Sequence, residues 1–261
     1  MKVVLVGAGN TATVLGRKMK ECGTEIIQVI SKSEKHAHRL ASTLQTEYSN
    51  NLVALHSSAQ LVIIAVNDQE IATVANQLPA NNAIVVHTAG AVGIEVLQST
   101  GAKFGVMYPV QSLSKNAVSL PEIPVLIDGN TDSVKGALSA FVSTWSAMPI
   151  FAGNEQRLRI HLAAVIANNF TNHIMALTED FCKKEKVDFQ VLLPIIKETV
   201  NRIQYTSPSL LQTGPASRGD IATIDKHLHH LNRLPELRKL YLKLTESIIV
   251  HQKLHVPDIQ E

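Results

Sequence analysis

Gly7-Ala8-Gly9-Asn10-Thr11-Ala12 follows the apolar run Val3-Val4-Leu5-Val6 near the start of the chain. A glycine at position 7 permits a tight turn, and one at position 9 lets the backbone approach a pyrophosphate. The small Ala12 lets the following helix pack closely on the strand. That helix's N-terminus would present unpaired N–H groups and a positive dipole end to phosphate oxygens. The G-x-G-x-x-A spacing alone is common, and its place between strand and helix gives it meaning. Gly7, Gly9, Asn10, Thr11 and Ala12 are therefore expected to bind a dinucleotide. A ligand-free turn and an S-adenosylmethionine site are the other readings.

The end of the second strand chooses among dinucleotides. An NAD site usually places Asp or Glu there to hold the ribose 2′-hydroxyl. Here the residues are Ser31-Lys32-Ser33, two hydroxyls and an ammonium that suit a 2′-phosphate. The expected cofactor is NADP, against the reading of an ordinary solvated turn. Val66 and Asn67 end a later strand beside the same crevice. Asp68 after them reads as the N-cap of a helix over Gln69–Leu78, ahead of the alternative of a catalytic carboxylate. His87 ends the strand Ala83–His87 and reads either as a core histidine or as a cofactor contact.

A proton donor is sought further along. His161, Asn168 and Asn172 are spaced by seven and four, which puts them on one face of an α-helix. An imidazole can act as general acid near neutral pH, and an amide can orient a reacting oxygen or nitrogen. The alternative is that His161 and Asn168 only tie this helix to a neighbouring loop. Arg218, in Thr213-Gly214-Pro215-Ala216-Ser217-Arg218-Gly219-Asp220, can clamp a carboxylate or phosphate, or pair structurally with Asp220. His227 and His230 offer two imidazoles without a third ligand, so no metal site is expected.

The elements that must position these residues have two textures. Up to Gly153, short apolar runs alternate with amphipathic stretches. Strands are expected at Val3–Val6, Glu25–Ile30, Leu61–Val66, Ala83–His87, Lys103–Met107, Val125–Asp128 and Pro149–Phe151. Helices are expected at Thr11–Cys22, Glu34–Leu44, Gln69–Leu78 and Ser133–Ser146. Repeated β-then-α order implies a doubly wound, mostly parallel sheet. Beyond Gly153 the pattern predicts helices only: Arg157–Lys186, Phe189–Ile203 with a kink at Pro194, then, after a Thr206–Gly219 loop, Asp220–Leu231 and Pro235–His251. The expected division is an α/β domain over 1–153 and a helical domain over 154–261.

Composition narrows the function classes. Hydrophobic residues make up 45% of the 261 and charged residues 18%, enough apolar material for a core. The 24 Lys and Arg are interspersed with 22 acids, and aromatics are only 4%, which argues against nucleic acid. With two cysteines far apart there is no disulfide framework, and no apolar run approaches a membrane span. A soluble cytoplasmic protein is expected.

With these stretches in hand, the chain resembles the Rossmann-like NADP-dependent oxidoreductases that carry a C-terminal helical domain of unknown function. These are relatives of pyrroline-5-carboxylate reductase, ketopantoate reductase and the deazaflavin-dependent NADP reductases. The resemblance rests on Gly7–Ala12, Ser31–Ser33, Ala65–Asp68, His87–Gly90, Tyr108–Ser112, His161–Val165, Asn168–His173 and Thr213–Asp220, and so spans nearly the whole chain. One departure is Tyr108, where histidine is expected before the proline. The resulting expectation is an NADP(H)-dependent oxidoreductase. It would move hydride to or from a small carbonyl or imine substrate at an interdomain cleft, and form a homodimer through its helical half. The rival is a non-catalytic NADP-binding redox sensor or regulator.

Overall fold

The computed structural model describes residues 1–117, 119–146 and 148–255, with the backbone alone described for 252–255. The first part of the chain runs β1 (Lys2–Val6), α1 (Asn10–Glu21), β2 (Glu25–Ile30), α2 (Glu34–Leu44), β3 (Glu47–Ser49), β4 (Leu61–Ile64) and α3 (Ile71–Gln77). It continues with β5 (Ile84–His87), β6 (Phe104–Pro109), β7 (Val125–Gly129), α4 (Asp132–Val142) and β8 (Pro149–Phe151). The eight strands form one sheet in the order β3-β2-β1-β4-β5-β6-β7-β8. Every neighbouring pair is parallel except β6 with β7.

Alternation along buried strands builds the two core layers. In β1, Val3 and Leu5 enter one hydrophobic cluster and Val4 and Val6 the other, as a period of two requires. β4 repeats this, with Leu61 and Ile63 on one side and Val62 and Ile64 on the other. The chain winds outward from β1 to β3 and then returns to β4 on the far side of β1. That reversal opens a crevice at the carboxyl ends of β1 and β4, where ligands of such sheets bind.

The helices follow: α5 (Asn154–Ala164), α6 (Thr171–Glu185), α7 (Leu193–Arg202), α8 (Pro208–Leu211), α9 (Pro215–Arg218), α10 (Ile221–His230) and α11 (Pro235–His255). Among the described residues no strand follows Phe151. Pro194 produces no kink, because it sits in the first turn of α7, where its missing N–H has no helical partner to lose. The expected loop before Gly219 holds two short helices, α8 and α9. The chain forms two compact units, Met1–Phe170 and Thr171–Glu261. Asn154 and Arg157 of α5 bond to residues 92–95, which keeps α5 within the first unit.

Candidate functional site

The turn after β1 fits the chemistry expected of it. Gly7 has φ +116°, and its N–H donates to the Ile30 carbonyl at 2.7 Å. A Cβ at this position would collide with the Ala65 carbonyl, so the residue is held between the ends of β2 and β4 with no room for a side chain. Gly9 precedes α1, and a Cβ there would meet nothing within 4 Å, leaving its backbone open to a ligand. Ala12 is fully buried in the core and serves packing. Lys18 and Lys20 in the last turn of α1 complement the dipole whose positive end faces the turn.

In front of this turn lies a cavity of about 780 Å³. Gly7, Gly9, Asn10 and Thr11 line one wall, Ser31 and Lys32 a second, and Val66 and Asn67 a third. The cavity thus gathers eight of the eleven residues that the sequence nominates for the cofactor. Ser33 is not among its lining; its hydroxyl accepts from the His36 N–H and caps α2. Asp68, expected to cap the following helix, opens a 3-10 turn over Asp68–Glu70 instead. That turn delivers Glu70 to the cavity, where its carboxylate pairs with the Lys32 ammonium.

His87 is wholly buried and lines no part of the cavity. Its Nδ1 accepts from the Ala89 N–H at 3.2 Å, while among the described residues Nε2 has no hydrogen-bond partner within 3.5 Å. Beside it, Arg157 of α5 is 1% exposed. Arg157 donates through Nη2 to the Val92 carbonyl and to Asn154 Oδ1, at 2.5 and 2.8 Å. Burial first, and the Arg157 charge second, pull the His87 pKa down from 6.5 to about 4. The folded protein therefore keeps His87 neutral where the unfolded chain would protonate it. Stability is complete above pH 6.5 and falls as the pH drops from there toward 4, by about 3 kcal/mol in all. Urea unfolding between pH 4 and 7 tests this. His87→Asn, which keeps an acceptor for the Ala89 amide, should flatten that part of the profile.

The proton-donor candidates fall on different elements. His161 lies in α5, and its Nδ1 is 2.9 Å from the Tyr108 hydroxyl at the end of β6. The two rings meet edge to face. Gly90 completes the group: a Cβ there would stand 2.7 Å from His161 Nδ1 and 2.9 Å from Tyr108 Cζ, so only glycine fits. Burial, and then the Asp68 carboxylate, raise the Tyr108 pKa and keep it a phenol. Neither His161 nor Tyr108 lines the cavity. Asn168 is exposed within a π-helical stretch, Val165–Phe170, between α5 and α6, where it donates to Asn169 Oδ1 at 3.4 Å. The i→i+5 bonds of that stretch break the 3.6-residue period, so the face shared by His161, Asn168 and Asn172 in an ideal helix does not carry through.

Arg218 ends α9 in the second unit and is exposed. Asp220 directs its carboxylate to the Thr223 N–H and hydroxyl at 3.1 and 2.8 Å, capping α10, and these bonds hold it below the usual carboxylate range. His227 Nδ1 and the Tyr241 hydroxyl are hydrogen-bonded at 2.8 Å. Sequence reasoning passed over Glu70 and Arg157, and it noted Tyr108 and Gly90 within the resemblance without assigning either a role. An arginine four residues before His161 was the one local hint, since the two share a face of α5.

The sheet order and its glycine turn define a Rossmann-like protein, and comparison with known proteins agrees. Residues 1–109 match the Rossmann-like domain, and residues 123–248 match a domain of unknown function, DUF2520. No curated protein gives a significant match. Among solved structures, the "putative NADP oxidoreductase" BF3122 from Bacteroides fragilis is 36% identical. The match covers 95% of this chain and 98% of that one, with a TM-score of 0.88. A reductive aminase from Aspergillus terreus, in complex with NADPH and ethyl-5-oxohexanoate, is 11% identical over 98% and 99% of the two chains, with a TM-score of 0.68. A 1-pyrroline-5-carboxylate reductase from Streptococcus pyogenes is 15% identical over 96% and 98%, with a TM-score of 0.64. The latter two share the fold. The chain belongs to the family of Rossmann-like proteins that carry a DUF2520 C-terminal domain. Among the described residues no helix is long and apolar enough to cross a membrane.

Proposed function

We propose that this chain is an NADP(H)-dependent oxidoreductase that transfers hydride to or from a small carbonyl or imine substrate, working as a homodimer. The observation that carries the reading is the cavity at the glycine turn. Its Gly7 admits no side chain, its Gly9 backbone is open, and its far wall holds Ser31 and Lys32. The similarity to a protein named as an NADP oxidoreductase supports the cofactor. The fold shared with a reductive aminase and a pyrroline carboxylate reductase supports C=N or C=O chemistry.

A bound nicotinamide supplies or accepts the hydride, and the protein does the rest. Gly9 and the start of α1 receive the pyrophosphate, Ser31 and Lys32 the 2′-phosphate, and Val66 and Asn67 border the path toward the nicotinamide. His161 is assigned as proton donor. A proton given up from Nε2 leaves the neutral imidazole, whose Nδ1 then accepts from the Tyr108 phenol, and the contact fixes the ring's orientation. Gly90 allows that pair to form.

Titration of the wild type with NADPH and NADH tests the cofactor. Glu70 competes for Lys32, so the gain from a charge-assisted bond to phosphate falls at the low end of its range, about tenfold. Lys32→Ala should weaken NADPH by that factor and leave NADH unchanged. Ser31→Asp should go further, because its carboxylate repels a 2′-phosphate and accepts from a free 2′-hydroxyl. Equal wild-type affinities for the two dinucleotides would overturn the assignment to NADP.

A further inference from the structure

A second cavity, of about 300 Å³, lies in the first unit between α1, α2 and the segment after β6. Arg17 enters it from α1, His36 and Arg39 from α2, and Lys115 and Asn116 from the segment. Among the described residues no Asp or Glu lines it. Among the described residues, no carboxylate lies within ion-pair distance of Arg17, Arg39 or Lys115. Lys32, in the neighbouring cavity, differs in being neutralised by Glu70.

The convergence is held by tertiary contacts. The Lys115 N–H donates to Asn10 Oδ1 at 3.2 Å, and Arg17 Nη1 donates to the Ala117 carbonyl at 3.5 Å. Three segments distant in sequence each bring a cation to one groove, and like charges gathered this way repel unless an anion joins them. We propose that this groove is an anion site that takes a phosphate monoester. Two guanidinium groups and an ammonium match a dianion, and the guanidinium fork matches phosphate geometry. His36 and the Asn116 amide offer further donors.

Ala8 lines both cavities, so the phosphate can come from two sources. It is either the phosphate monoester of a dinucleotide in the first cavity or one carried by a separate small molecule. Only the first source rests on the function proposed above, and it would move the 2′-phosphate from Ser31 and Lys32 to this groove.

The test is calorimetric titration of the full chain with inorganic phosphate, NADPH and NADH. It compares the wild type with Arg17→Gln/Arg39→Gln and, on a separate segment, Lys115→Gln. The expected result is saturable phosphate binding by the wild type, weakened at least about tenfold in the double variant at unchanged melting temperature. A matching loss for NADPH, with NADH unaffected, identifies the dinucleotide's own phosphate. Unchanged NADPH binding identifies a separate phosphorylated ligand. The proposal is overturned if the wild type does not bind phosphate saturably and the variants treat NADPH and NADH as the wild type does. Equal losses for the two dinucleotides would also overturn it. If the wild type binds neither dinucleotide, the oxidoreductase reading fails, and the phosphate titration alone decides the groove.

Discussion

His161→Ala is expected to lower turnover by about 10²- to 10⁴-fold, the usual scale for a residue that donates a proton in the rate-determining step, while dinucleotide affinity stays within twofold or so. The separation follows from geometry. His161 lies outside the lining of the cavity that holds Gly7, Ser31 and Lys32, and its contacts are Tyr108 and Gly90. Tyr108→Phe removes the hydroxyl that orients the ring but leaves the imidazole, so its loss should be smaller, about tenfold. It should also shift the pH profile of turnover. The measurement is NADPH oxidation against a panel of imines and 2-oxoacids, with melting temperatures of both variants alongside. If His161→Ala lowers the melting temperature and leaves turnover intact, the histidine only ties α5 to β6. An absence of turnover on every substrate, with NADPH bound tightly, would favour a sensor over an enzyme.

Leu162→Glu is expected to give a monomer at concentrations where the proposed wild-type dimer forms. Leu158, Leu162, Ile166 and Phe170 recur every fourth residue through α5 and the π-helical stretch, and they are 50, 58, 53 and 57% exposed. Single exposed apolar residues are ordinary, and the recurrence of four along one segment is the feature on which the proposed dimer interface rests. Covering the exposed half of each side chain contributes about 0.8–1.5 kcal/mol. Set against the ~4–15 kcal/mol cost of association, two such stripes meeting supply a large part of what a stable dimer needs. A carboxylate placed among them without a partner costs several kcal/mol, enough to weaken dimerisation more than 100-fold. Light scattering across a dilution series reads this directly. A wild type that is monomeric at tens of micromolar would remove the proposal.

The sequence was most informative where the signal is local. A glycine pair between an apolar run and an amphipathic stretch specifies a tight turn with open backbone, because the requirement for φ > 0 at Gly7 and for bare backbone at Gly9 belongs to those residues themselves. Strands buried on both faces announce themselves as apolar runs, so the strand–helix alternation and the change to helices after Phe151 were readable in advance. β3 was not. Two of its three residues are exposed, and it exists because β2 offers it an edge. The same limit applies to the site. Tyr108 meets His161 across 53 residues, Lys32 meets Glu70 across 38, and Arg157 reaches the Val92 carbonyl across 65. Residue types on one element say which face is polar, but they do not say what the fold brings opposite. The π-helical stretch likewise moved Asn168 away from the position that α-helical spacing predicts. Residue chemistry and local period therefore determined the turn and the strands and nominated the ligand. Partners, pKa shifts and the neutralisation of Lys32 depend on distances between segments far apart in the chain, and only the folded sheet and its crossing helices set those.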